Sequence, residues 1–161
     1  MTDKQSLQAA VDIITRDIGY VNLLVNNAGI AAAPHCGLKV PPPFPDTRSE
    51  LGLESTNTDN LAALRDSLWR ETTDEWDDTL RINLMGVWFS SVAFLGLLDK
   101  GNKQRNVIQS SQIVSISSIG GYHRLMSSGF AYYAAKAGVN LLAKSLATNL
   151  VQYGVRSVSQ S

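Results

Sequence analysis

Cysteine occurs once among the 161 residues, as Cys36. A single thiol cannot build an internal disulfide framework, which favours a reducing compartment such as the cytoplasm over a secretory one. Neither sign of charge is in surplus: 14 Lys and Arg stand against 14 Asp and Glu. That removes the electrostatic case for nucleic acid or an anionic membrane as a partner. No apolar run reaches about 18 residues and no charged-then-apolar leader opens the chain, so neither a membrane span nor a signal peptide is expected. Histidine is limited to His35 and His123, without metal-ligand spacing or a triad partner, so no metal site is assigned. With 44% hydrophobic and 17% charged residues, the composition is that of an ordinary globular chain.

Periodicity divides the chain. Leu7, Val11, Ile14 and Ile18 recur at helical spacing, predicting a helix over about 4–17 that Thr2 or Asp3 caps and Gly19 ends. Val21-Asn22-Leu23-Leu24-Val25 is a nearly continuous apolar strand, the pattern of a parallel-sheet strand covered on both faces. It stops at the polar, tight corner Asn26-Asn27-Ala28-Gly29. Residues 31 to about 60 carry all five prolines and a polar run, a turn-rich insertion expected as an exposed excursion near that corner, either a lid or a solvated loop. A short helix follows over 61–69.

A longer helix begins at Thr73-Asp74-Glu75-Trp76, whose acidic first turn suits the helix dipole. It runs through Leu80, Leu84, Val87, Phe89 and Val92 towards Leu98 and is apolar on more than one face, which implies burial against sheet and neighbour together. Residues 99–112, with Lys100, Lys103 and Arg105, read as an exposed linker, and no aromatic interleaves with those charges to suggest a nucleic-acid patch. A second strand is predicted over 113–117, then a helix over 130–152 with Val139, Leu142, Leu146 and Leu150 in one stripe and Gly154 to terminate it. Gly138 inside that helix costs about 1 kcal/mol relative to alanine, which predicts the close approach of another backbone.

Tyr132 and Lys136 lie four residues apart in the last helix. That spacing puts a phenol and an ammonium on one face, about one turn apart, where the cation favours the phenolate. A free tyrosine titrates near pH 10, so acid/base work near pH 7 requires a fall of roughly three units, about 4 kcal/mol of differential stabilisation. Tyr133 is only three residues from Lys136 and reads as a packing or substrate-facing aromatic. Ser115 and Ser117 alternate along the strand and read as ladder or core-edge hydroxyls. Asn83 is a polar residue in an apolar helical run, either a hydrogen-bonding group across a kink or part of a site.

Taken in order, Asn26-Asn27-Ala28-Gly29, the helical Asn83, Ile116-Ser117-Ser118 and Tyr132-x-x-x-Lys136 resemble the classical short-chain dehydrogenase/reductase family, throughout residues 2 to about 156. The resemblance implies an α/β fold, a partial Rossmann-like doubly wound parallel sheet with flanking helices in one domain over 1–161. It implies hydride transfer between NAD(P)(H) and an alcohol/carbonyl pair, NAD against NADP being open. In that family the tyrosine, here Tyr132, protonates or deprotonates the reacting oxygen. The lysine, here Lys136, lowers the tyrosine's pKa and binds the nicotinamide ribose. Ser118 orients the carbonyl or hydroxyl, and Asn83 supports a water chain towards the lysine. Asn27, Ala28 and Gly29 lie against the adenosine half of the cofactor, and with Tyr132 and Lys136 form the cofactor-binding set. Substrates across the family are small-molecule alcohols and ketones, including those of specialised-metabolite ketoreductases. The helices at about 74–98 and 130–152 would pack against a second subunit as a homo-oligomer.

None of the twelve glycines falls into Gly-x-x-x-Gly-x-Gly or Gly-x-Gly-x-x-Gly, the turn that brings backbone against pyrophosphate at a helix N-terminus. By the resemblance, the opening Thr2-Asp3 follows the family's third strand, so three strands and two helices are expected to precede this segment in a complete member. Beyond Arg156 the family continues into a sixth strand and a substrate loop, whereas this chain reads Ser157-Val158-Ser159-Gln160-Ser161. Two readings follow: an incomplete oxidoreductase of this family, or a truncated, catalytically inactive remnant or interaction fragment.

Overall fold

The computed structural model describes residues 2–31, 61–123 and 129–161. The proline-rich insertion, His35 and Cys36 lie outside them. Helix α1 (Lys4–Asp17) starts where the Asp3 carboxylate accepts the Gln5 and Ser6 amide hydrogens, and it ends as Gly19 turns to φ +89°. The Ser6 hydroxyl first, then the two amides, hold the Asp3 carboxyl below its ordinary range. Strand β1 (Leu23–Asn26) follows. Helix α2 (Leu61–Leu68) precedes α3 (Thr73–Leu80), whose start is a reciprocal capping box between Thr72 and Glu75.

The predicted long helix is a composite. After α3 comes one wider π-type turn, Arg81–Met85, then α4 (Gly86–Ala93), a bend of 48° at Phe94, and α5 (Leu95–Gln104). Helix thus extends well into the segment expected as linker. The reason is packing: Leu97, Leu98 and Gly101 continue the buried face past the point where the charges begin. Strand β2 (Gln112–Ile116), a short 3₁₀ turn (Ile119–Gly121), α6 (Phe130–Leu150) and β3 (Arg156–Gln160) complete the chain, with Gly154 at φ +67° between α6 and β3.

The three strands are parallel in the order β1-β2-β3, with Asn26 opposite Ser115 and Val114 opposite Val158. The tail expected to stop short therefore contributes a strand, because Val155 and Ser157 turn inwards beside β2. Leu24 of β1 and Ile113 of β2 meet Val11 and Ile14 of α1, Leu97 and Leu98 of α5 and Leu146 and Leu150 of α6 in one core on the helix-covered face. On the other face Leu23 and Val25 remain 49% and 48% exposed. Among the described residues, β1 is covered on one face only, where the sequence pattern predicts cover on both, and no described strand lies beyond it.

Gly138 also receives a correction. A Cβ there would stand 3.1 Å from both Leu84 methyl carbons, so the group that approaches it is a side chain of the π-type turn rather than a backbone.

Candidate active site

Because β1 and β2 run parallel and in register, their C-terminal ends deliver two corners to one edge of the sheet, the place where open α/β sheets bind ligands. The first corner, Asn27-Ala28-Gly29, follows β1 and is exposed. It is anchored from below by Asn26, a buried amide that donates to Ser91 Oγ (3.0 Å) and Ser115 Oγ (3.4 Å) and accepts from Ser90 Oγ (2.6 Å). No spacing rule singles this network out in the sequence. Its signal was Asn26 closing an apolar strand and the Ser90-Ser91 pair set among apolar helix residues.

From the side, the corner is held by Asn83. This residue is wholly buried in the π-type turn, a distortion that recurs at functional sites. Its Nδ2 donates to the Ile30 carbonyl (2.7 Å) and the Thr79 carbonyl (2.9 Å), while its Oδ1 accepts from the Ile30 amide (3.1 Å). Both amide hydrogens are therefore committed to backbone: one bridges the distorted helix at Thr79, as the kink alternative raised from sequence has it, and the other ties the helix to the corner at Ile30. A Cβ at Gly29 would stand 2.6 Å from Asn83 Oδ1 and 3.6 Å from Lys136 Nζ, so glycine lets corner, asparagine and lysine converge.

The second corner carries Ser118, whose Oγ accepts from the Gly120 amide at 3.0 Å and caps the 3₁₀ turn. Serine's own hydroxyl hydrogen stays available for another acceptor. Facing it, α6 presents Tyr132 and Lys136. Lys136 Nζ lies 5.7 Å from the centroid of the half-buried Tyr132 ring, so the two occupy one face as the spacing predicts. Lys136 is only 5% exposed, and its Nζ donates to the Ile116 carbonyl at 2.8 Å. Burial pushes its amine below the ordinary lysine value. Tyr133 is buried, edge-on to Tyr132 at 5.9 Å, and packs beside Gly120, which makes it the packing aromatic of the pair. Asn83, Gly29, Lys136 and Tyr132 are thus brought together directly, with Ser118 on the adjoining turn. Among the described residues no hydrogen bond joins the Ser118 and Tyr132 hydroxyls.

The fit to a dinucleotide can be judged from these atoms. A buried ammonium has three donors, and among the described residues one of them is used, on Ile116. Gly29, whose Cβ would stand 3.6 Å from Nζ, borders the ammonium, and two remaining donors suit a ribose diol. No glycine-rich phosphate turn occurs in these 161 residues, so the groups present fit the nicotinamide-ribose half, and the chain carries no such turn for the pyrophosphate.

The family model described as short chain dehydrogenase matches residues 60–159. The chain belongs to the short-chain dehydrogenase family. Among curated members, the short-chain dehydrogenase/reductase PhomF of Diaporthe leptostromiformis is 37% identical over 155 residues, 96% of this chain and 47% of its own length. The 3-oxoacyl-[acyl-carrier-protein] reductase FabG of Haemophilus influenzae is 30% identical over 155 residues, 96% of this chain and 48% of its own. Among solved structures, a Pseudomonas aeruginosa RhlG/NADP active-site complex superposes with a TM-score of 0.69 at 15% identity, covering 98% of this chain and 48% of that one. This likeness is one of fold. The chain spans about half the length of the curated short-chain dehydrogenases it matches.

Proposed function

We propose that this chain carries the acid/base half of an NAD(P)-dependent oxidoreductase that interconverts an alcohol and a carbonyl by hydride transfer. The observation that carries this reading is the buried Lys136 ammonium set against the Tyr132 ring at the carboxyl edge of a parallel sheet. A bound nicotinamide supplies or accepts the hydride. Tyr132 Oη gives its proton to the forming alcohol oxygen, or takes it in the reverse direction. Ser118 donates its free hydroxyl hydrogen to the same oxygen and fixes its position. Lys136 keeps a positive charge beside the phenol and offers its remaining donors to the nicotinamide ribose. Asn83 holds Ile30, and through it the corner at Asn27, Ala28 and Gly29 against which the dinucleotide lies. The name of the Haemophilus relative, a 3-oxoacyl-[acyl-carrier-protein] reductase, supports a ketoreductase direction, and the family resemblance adds a small-molecule alcohol or ketone as substrate. No single helix among the described residues is long and apolar enough to cross a membrane; the cytoplasm is the compartment proposed with this reading on the strength of its single cysteine.

A second reading has its own observation. Among the described residues Leu23 and Val25 on edge strand β1 are uncovered, which suits an interaction fragment, catalytically silent by itself, that pairs through that edge. Isothermal titration of the 161-residue chain with NADH and with NADPH separates the two. Binding tighter than about 100 μM, roughly −5.5 kcal/mol, sinks the silent reading, and no detectable heat with either nucleotide favours it.

A further inference from the structure

The position of Lys136 is set by more than its own helix. Strand β2 and the turn after it grip one turn of α6 at successive points. The Ile116 carbonyl takes the Lys136 Nζ hydrogen at 2.8 Å, and the Ser117 hydroxyl donates to the Lys136 carbonyl at 3.1 Å, so the lysine is pinned at both ends. Beyond them, a Cβ at Gly121 would stand 2.9 Å from the Lys136 carbonyl carbon and oxygen and 2.6 Å from Asn140 Nδ2. Backbone cannot yield as a flexible side chain does, so any residue larger than glycine forces this turn away from the helix. Asn140, 5% exposed and with no hydrogen-bond partner among the described residues, is buried in the same seam.

We propose that Ser117 and Gly121 are positioning residues that set the depth of the Lys136 ammonium beneath Tyr132 by clamping the Ser118 turn onto α6. The inference rests on the reading of Lys136 as the partner of Tyr132. It gives Ser117 a task beyond that of an edge hydroxyl. The groups facing Nζ are the Tyr132 ring from α6, the Ile116 carbonyl from β2 and the uncharged Gly29 and Asn83. Among the described residues no carboxylate pairs with it. Depth, and hence hydration, therefore governs how the lysine titrates.

The test reads the lysine itself. In the full chain labelled with ¹³Cε-lysine, the Lys136 resonance is assigned by its loss in Lys136→Arg and followed against pH. In the parent it titrates below the ordinary lysine value. Gly121→Ala raises its midpoint towards the ordinary lysine value by roughly one pH unit and Ser117→Ala by roughly half of one, while Ser110→Ala, away from the clamp, leaves it in place. Should Gly121→Ala fail to fold, Ser117→Ala decides alone. A Lys136 midpoint in Ser117→Ala identical to that of the parent overturns the proposal. The outcome is independent of nucleotide binding, so a failed NADH titration would remove the functional reading without altering this result.

Discussion

Lys136 opposes folding at the place where the proposed chemistry requires it. Taking an ammonium out of water costs several kcal/mol before its contacts return any of it, and one carbonyl at 2.8 Å is a modest return. Lys136→Met should therefore stabilise the chain at pH 7 by about 1–3 kcal/mol. The pH dependence fixes the cause. Since the folded-state value lies below the ordinary one of about 10.4, the unfolded chain binds more protons between those two values, and parent stability rises with pH across that window. The variant has no such group, so its advantage shrinks as pH climbs towards 10.4. Urea midpoints of the two proteins at pH 7 and near pH 10 measure this, and an advantage that stays constant contradicts it. Tyr132 makes the complementary case. Tyr132→Phe removes one hydroxyl from a half-buried ring and leaves the lysine in place. It should cut turnover by at least about 10²-fold while changing nucleotide affinity little. Turnover near the parent level would strip Tyr132 of its role.

Among the elements, those written locally were legible. The α1 span, its Asp3 cap and the Gly19 and Gly154 terminators follow from residues within a turn of each other, and so does the shared face of Tyr132 and Lys136. What escaped depends on partners distant in sequence. Asp99, Lys100 and Lys103 suggest a linker until Leu97, Leu98 and Gly101 are seen to continue the buried face of α5. Ser157 and Ser159 give no apolar signal and become strand only through pairing with Ile113 and Ser115. The Leu84 contact at Gly138 and the Asn26 network span tens of residues. Asn102 belongs to this group and ties three elements together. Its Oδ1 accepts the Ser111 amide at 2.6 Å where β2 is about to begin, and its Nδ2 donates to the Gly154 carbonyl at 3.0 Å in the turn before β3. Asn102→Ala leaves the part-buried Ser111 amide unpaired, while the exposed Gly154 carbonyl passes to water, and should destabilise by about 1–2 kcal/mol. Thermal or urea unfolding checks this, and a loss below about 0.5 kcal/mol would show that water replaces the amide without cost.

For the molecule as a whole, the helices that carry Asn83 and Lys136 leave an apolar groove on their outer side. A cavity of about 460 Å³ runs between Leu84, Met85, Trp88 and Phe89 on one wall and Gly138, Leu141 and Leu142 on the other. Leu141 is 67% exposed, and Met85, Trp88 and Val92 are each more than 40% exposed on the same helices. Single apolar side chains at a surface need no explanation, but a contiguous set on two adjacent helices does. These are the helices through which the sequence resemblance expects two subunits to meet, and a two-fold contact would set each copy's wall into the other's groove. The glycine at 138 leaves room for Leu84 and so shapes the groove floor. Leu141→Glu places a charge at the centre of such a contact and, being exposed, should cost the isolated fold less than about 0.5 kcal/mol. If a second copy occupies the groove, sedimentation velocity shows the parent as a dimer and Leu141→Glu as a monomer, with the two circular-dichroism spectra coinciding. A parent that sediments as a monomer across the accessible concentration range removes the second copy as occupant. A variant that stays dimeric moves the interface elsewhere, and the exposed edge of β1, with Leu23 and Val25 uncovered beside it, is then the surface to mutate next.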